Sequence, residues 1–320
     1  MPVVLPDGVL YNMKLFCDVA LENDSTVSLR DLIALTSINY SEKQLADSWD
    51  SYAVLSSRYR VASGIVLGKT EDFSDEIQVK SRISAQYDRA SSNIAYAFQF
   101  GSMLKSASSP FKVLSISGST SYLSVSETDD LDFFCIVKAG AMWPSFVRSL
   151  ILARAFRASR KYTPWICLSY VSDEEFVRRE FFNNQNGLFA RDAISTRVIQ
   201  GEMYFRNLLK ENSWMASYFP KLYELRIGGG TFTNQEFMKR KPADSFERIL
   251  NLFLYYTAGS YIKLKSYLLN RRFSRDRKFS SLFHLRIGID HCIYESADYL
   301  RLRKLYAGLA RKDEELTARP

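Results

Sequence analysis

Apolar residues recur at helical spacing through most of the first hundred positions. Val9, Leu10, Met13, Phe16, Cys17 and Ala20 follow three- and four-residue steps, which predicts a helix from Pro6 to Glu22. Thr26 to Ile33 reads as a short second helix. Ser41-Glu-Lys-Gln44 is a capping box, opening a third helix that runs to Ser57. A polar-apolar pattern from Asp75 to Met103 predicts one long helix, and Ser106-Ala-Ser-Ser-Pro110 breaks it.

Between the third helix and the long one, Arg60 to Lys69 has the pattern of a small hairpin. Short helices followed by a hairpin form a winged-helix-like order. The pattern then changes to short apolar runs: strands are expected at Lys112–Ser117, Asp130–Lys138 and Trp165–Val171, with a basic helix from Ser145 to Lys161 between the last two. From Ser172 helical periodicity dominates almost to the end, His284 and His291 included, interrupted by a loop at Gly228–Gly230 and Thr231–Asn234. The reading is an α+β chain in three parts. Residues 1–105 form a helical, winged-helix-like unit with its connecting helix, 106–175 a small mixed sheet flanked by helices, and 176–320 a helical C-terminal region ending in a charged tail from Arg311.

Composition narrows the class. Of 320 residues, 47% are hydrophobic and 24% charged, as expected of a globular chain with a packed core. The longest apolar stretch, Ile249 to Ile262, contains Asn251, Gly259 and Ser260, short of the ~18–20 apolar residues a membrane span needs. The start, MPVVLPDGVLYNMKLF, has no basic leader, so a cytoplasmic protein is expected. The four cysteines show no CxxC spacing, which favours buried reduced thiols over zinc or disulfides. A net charge of +8 favours an anionic ligand such as a nucleoside triphosphate or nucleic acid.

The chemistry concentrates in one stretch. Leu114-Ser-Ile-Ser-Gly-Ser-Thr120 is a strand running into a tight turn, where Gly118 lets an anion approach the backbone and Ser119 adds a hydroxyl. Asp130-Leu-Asp-Phe-Phe-Cys-Ile-Val137 follows, and period-2 alternation puts Asp130, Asp132, Phe134 and Ile136 on one face. Leu131, Phe133, Cys135 and Val137 then face a core. Two carboxylates so placed can share divalent cations, which in two-metal phosphoryl transfer lie roughly 3.5–4 Å apart. Hard oxygen ligands and phosphates suit Mg²⁺, with Mn²⁺ as its substitute. The bland alternative, an acidic turn entering a strand, would leave those acids in need of other partners.

This pattern resembles the DNA polymerase beta-like nucleotidyltransferase superfamily: a hydrophobic strand, Gly-Ser, about a dozen residues, then Asp-hydrophobic-Asp. A narrower resemblance is to uncharacterised bacterial and archaeal nucleotidyltransferase-domain proteins. It rests on Ser117-Gly-Ser119, Asp130-Leu-Asp-Phe-Phe134, Trp143 opening the next helix, Trp165-Ile-Cys-Leu-Ser-Tyr170, Glu211-Asn-Ser-Trp214 and Tyr218-Phe-Pro220. The resemblance implies that Gly118 and Ser119 hold the triphosphate of an NTP while Asp130 and Asp132 bind metal. A nucleoside monophosphate would then pass to an acceptor, with release of pyrophosphate. The resemblance leaves three acceptor classes: nucleic acid such as RNA, a small molecule or a protein side chain.

Active members carry a third carboxylate on a neighbouring strand, and Trp165–Val171 contains none; Ser169 or Tyr170 stands about where it would be sought. Asp173, just beyond, is the candidate third metal ligand, although Ser172-Asp-Glu-Glu175 also reads as a capping box. Without that acid, the alternative is a catalytically inactive nucleotide- or nucleic-acid-binding regulator. Two basic clusters are candidate anion sites: Arg154, Arg157, Arg160 and Lys161, and then Arg271, Arg272, Arg275, Arg277 and Lys278. Asn-rich Phe181–Asn186 offers base-edge groups or merely a loop. A DNA-binding role for the N-terminal unit is weak, because Arg30, Lys43, Arg58 and Arg60 are offset by Asp31, Glu42, Asp47 and Asp50.

Overall fold

The computed structural model describes residues 5–22, 25–69, 76–106, 111–127, 129–160, 164–228, 244–276 and 282–309. The expected break at 107–110, the loop at 229–234, Lys161, Arg277, Lys278 and the tail from Arg311 lie outside them.

The chain begins with helix α1 (Asp7–Glu22), strand β1 (Val27–Ser28) and helices α2 (Leu29–Thr36) and α3 (Glu42–Ser48). A single 3-10 turn (Trp49–Ser51) leads to α4 (Ala53–Ser56) and the hairpin β2 (Tyr59–Ala62) and β3 (Ile65–Gly68). The capping box at Ser41 and Gln44 forms as expected. The expected helix to Ser57 does not run through, however. Tyr52 leaves helical dihedrals (φ −95°, ψ 85°), and buried Trp49 turns inward to donate its indole N–H to the Tyr59 carbonyl at 3.4 Å. Strand β1, too short to show a period, completes a three-stranded sheet in the order β1-β3-β2.

After the long helix α5 (Glu76–Ser106) come β4 (Phe111–Ile116), the one-turn helix α6 (Gly118–Ser121), β5 (Leu131–Val137), α7 (Met142–Ala158) and β6 (Ile166–Asp173). Then follow α8 (Glu174–Asn183), α9 (Gly187–Ser195), β7 (Arg197–Gln200), α10 (Glu202–Glu211), α11 (Met215–Tyr218) and α12 (Pro220–Ile227). The last elements are α13 (Ser245–Leu254), a π turn (Tyr255–Gly259), α14 (Ser260–Arg275), β8 (Phe283–Ile287), β9 (His291–Ser296) and α15 (Ala297–Tyr306).

The fold is mixed α+β. The second sheet has six strands in the order β7-β4-β5-β6-β9-β8. Its β5–β6 pair is parallel, as a crossover through α7 requires, and the other pairs are antiparallel. The reading of the region beyond Ser172 as dominated by helix is therefore corrected in part. Strands β7, β8 and β9 come from that region, and His284 and His291 sit on strands, not helices. His284-Leu-Arg-Ile287 does alternate polar and apolar, but over too few residues to outweigh the surrounding helical period.

A hydrophobic core lies on each face of this sheet. Leu131, Phe133, Cys135 and Val137 of β5 enter one, with Trp143, Phe146 and Phe156 of α7 and Phe100 of α5. Phe134 and Ile136 enter the other, which is continuous with the N-terminal helices and with α9 to α12 and α15. Phe16 of α1 packs on Phe219 and Tyr306, with ring centroids 6.2 and 6.0 Å apart. Strand β5 thus carries apolar residues on both sides and shows carboxylates only at its start.

Candidate functional site

Strand β4 ends at Ile116, and Ser117 still belongs to the ladder, its N–H donating to the Asp132 carbonyl at 3.0 Å. Gly118 then turns the chain with φ +62°, a region that favours glycine. A Cβ at this position would also lie 2.5 Å from Oδ2 of Asp132. The glycine is required twice, for its dihedral and for its contact with the carboxylate. Helix α6 starts here, and the first N–H groups of any helix lack intrahelical acceptors, so this turn presents donors beside Asp132. Asn93 of α5 steadies it by donating to the Thr120 hydroxyl at 3.3 Å.

Asp129 does not join the site. It closes a small turn by accepting from the Ser126 backbone N–H and hydroxyl at 3.0 and 2.7 Å. Asp130, exposed just before β5, and half-buried Asp132 are left on the face that the period predicts. The parallel register sets Cys167 of β6 opposite Asp132. Donor atoms of Asp130, Asp132 and Cys167 lie within 4.8 Å of one another. Burial, followed by the charge of Asp130, pushes the Asp132 carboxyl up to about 7, against hydrogen bonds from Ser169 and Cys167. Asp130 is raised too, by partial loss of water around its carboxyl and by the charge of Asp129. The Cys167 thiol is held well above its usual range by burial and by both carboxylates. Such a cluster gains from a cation, because one positive charge relieves both the repulsion and the desolvation.

Two cavities meet at Gly118, Asp130 and Asp132. One, of about 490 Å³, runs between Phe134, Tyr170, Glu180 and Arg286, with Phe134 and Tyr170 stacked at 4.5 Å. The other, of about 1140 Å³, contains Ser119, Arg191, Asp192 and Arg197. Sequence reading missed these last three. Exposed Arg197 opens β7, pairs with Ile116 across the sheet, and donates Nε to the Ser121 carbonyl at 3.0 Å. The side chain thereby lies at the end of α6 and lines the same cavity as Gly118 and Ser119. Asp192 accepts from the Tyr122 hydroxyl, and Arg191 donates to that of Tyr306. The one available signal was Arg197-Val-Ile-Gln200 as a short strand. Its partner, eighty residues earlier, could not be read from spacing.

Other expected residues are not brought here. Asp173 pairs with Val137 at the far end of β6, six positions beyond Cys167, or roughly 20 Å at about 3.3 Å per residue. There it is itself the N-cap of α8, accepting from the N–H groups of Glu175 and Phe176 at 3.1 and 2.9 Å, one position beyond the Ser172 cap expected from sequence. The residues facing Asp132 from β6 are Cys167 and Ser169, not an acid. Arg271, Arg272 and Arg275 lie exposed at the end of α14 and line neither cavity; Arg272 and Arg275 both approach Asp276 at 3.7 Å. In the first basic cluster, Arg157 lies over the Trp165 ring and Arg160 over that of Phe156. Asn186 caps α9, Asn184 lines the smaller cavity, and His291 stacks on Phe176. All four cysteines are free, three of them buried. Among the described residues, no helix is long and apolar enough to cross a membrane.

Comparison of the chain with protein-family models, curated proteins and solved structures finds no match to any of them.

Proposed function

We propose that this chain is a divalent-cation-dependent nucleotidyltransferase of the polymerase beta-like type. It would move a nucleoside monophosphate from an NTP to an acceptor and release pyrophosphate. One observation carries the reading: Gly118 of the turn touches Asp132 of the carboxylate pair where two cavities join. In this reading Ser119 and Arg197 hold phosphate oxygens in the larger cavity. The smaller cavity, walled by Phe134 and Tyr170, receives the acceptor or the base.

The donor set fits one Mg²⁺ or Mn²⁺ through the carboxylates of Asp130 and Asp132, completed by phosphate oxygens and water. A cation held there supplies charge stabilisation for the transferring phosphate and the leaving pyrophosphate. Asp130 and Asp132 would orient it, Gly118 would keep the approach clear, and Arg197 would balance phosphate charge. The order of the N-terminal elements supports a winged-helix-like unit that serves packing, since its helices share a core with α12 and α15.

A second reading has its own observation. Cys167 and Ser169 stand where a third carboxylate would face Asp132, which favours a nucleotide-binding regulator without transfer activity. Incubation with each labelled NTP, Mg²⁺ or Mn²⁺, and RNA, small-molecule and protein acceptors separates the two. The enzyme predicts label transfer that disappears in an Asp130→Ala/Asp132→Ala variant and increases in Cys167→Asp. NTP binding without transfer to any acceptor, restored by Cys167→Asp alone, would establish the regulator instead.

A further inference from the structure

Helices α13 and α14, joined by the π turn, form one rod of about 45 Å at 1.5 Å rise per residue. One side is anchored: buried Asn251 and Ile262 face the molecule, and Gly259 lies against Trp143. The opposite side carries large apolar residues in the open. Phe246, Ile249, Phe253 and Tyr256 follow steps of three, four and three, the spacing of a helix-pairing seam. The next step, to Tyr261, is five. The π turn absorbs the additional residue, and Leu264 and Leu268 resume the three-four rhythm. Phe246 is 72% exposed and Tyr256 64%.

We propose that this stripe is the contact face of a homodimer, in which the rods of two copies pack antiparallel about a twofold axis near Tyr256. The spacing is self-complementary in that direction. Phe246 meets the partner copy's position 268, Ile249 meets 264, Phe253 meets 261, and Tyr256 meets itself. An isologous contact requires this reciprocity.

Charge selects the direction. The rod begins with Asp244, Glu247 and Arg248, Glu247 already paired with Lys138, and ends with three arginines, Arg271, Arg272 and Arg275, against one acid, Asp276. Parallel packing would put the basic ends together, whereas antiparallel packing sets each beside the partner's acidic start. The area is also sufficient. Side chains of this size and exposure present on the order of 100 Å² each, about 700 Å² per copy. That is close to the roughly 800 Å² per partner of a stable interface. It also exceeds the ~300–600 Å² of the largest apolar patch on a typical monomer.

Sedimentation velocity on the full chain at tens of micromolar tests this. Twice the 36.8 kDa chain mass is expected, falling to a single chain in Phe253→Glu/Tyr256→Glu with an unchanged circular dichroism spectrum. Orientation is read by a short bismaleimide cross-linker. Phe246→Cys chains should couple to Leu268→Cys chains when mixed, and not to one another. A monomeric wild type, as when residues 229–243 or another protein cover the stripe, would overturn the proposal. A dimer that persists in the double variant, or coupling between two copies of Phe246→Cys, would overturn it too.

Discussion

At the scale of single residues, Gly118 and Asp132 act as one unit. The backbone conformation at Gly118 and the clearance beside Oδ2 of Asp132 both exclude a side chain. Gly118→Ala is expected to destabilise the fold by about 1–3 kcal/mol, through the left-handed dihedral and the displaced carboxylate together. It should also lower the proposed transfer activity at least about tenfold, measured beside a urea melt, because a small displacement from reacting geometry is expensive. Full activity in the alanine variant would sever the turn from the carboxylate pair. Gly118, Asp130 and Asp132 were all legible from sequence, since each is marked by local pattern. Cys167 was visible only as a cysteine in a strand. Its place opposite Asp132 depends on the β5–β6 register.

At the scale of elements, the rod of α13 and α14 is fastened by polar side chains, Asn270 exchanging two hydrogen bonds with the Phe283 backbone and Asn251 holding the other end. Oδ1 of Asn251 accepts from the Trp143 backbone N–H at 2.7 Å, and its Nδ2 donates to the Ile289 carbonyl at 3.1 Å. The Trp143 indole N–H reaches the Gly288 carbonyl at 3.0 Å, so α7, α13 and the β8–β9 turn are tied together. Asn251→Ala would leave the buried Trp143 N–H without a partner and free the Ile289 carbonyl on an exposed residue, a loss of about 1–3 kcal/mol on equilibrium urea denaturation. A loss below about 0.5 kcal/mol would mean that water replaces both bonds. In the sequence Asn251 only interrupted an apolar run. The helix around it was visible, but its fastening partners lie 108 and 38 positions away.

At the scale of the molecule, the half-buried trio of Tyr122, Asp192 and Arg191 joins the region after the turn to α9, and through Tyr306 to α15. Burial pushes the Asp192 carboxyl from about 3.8 up to about 6, against the Tyr122 hydrogen bond and the Arg191 charge. A carboxyl raised on folding contributes stability that is complete below pH 3.8 and is lost as pH rises through 6. Asp192→Asn removes that titration. Its stability relative to wild type should therefore improve by about 1 kcal/mol between pH 5 and pH 8, read from denaturation at both. No change in the difference between the two proteins would place the charge elsewhere. The molecule also joins what the sequence divides: residues 1–105 and 176–320 read as separate parts, yet α1 and α2 pack on α15 and α12 in one core.

The sequence alone determined the features that act within a few residues. These are the capping box at Ser41, the long helix, the three strands of the 106–175 region, the glycine turn and the carboxylate pair on one strand face. Each follows from a period, a cap or a dihedral requirement that neighbouring positions carry. Tertiary structure decided what depends on pairing across the chain. It added β7, β8 and β9 to the sheet, set Cys167 rather than an acid against Asp132, brought Arg197 to the cavity that the turn lines, and used Asp173 as a helix cap. Strand register and cavity walls are settled by contacts tens to hundreds of residues apart, and such contacts leave no mark in local periodicity.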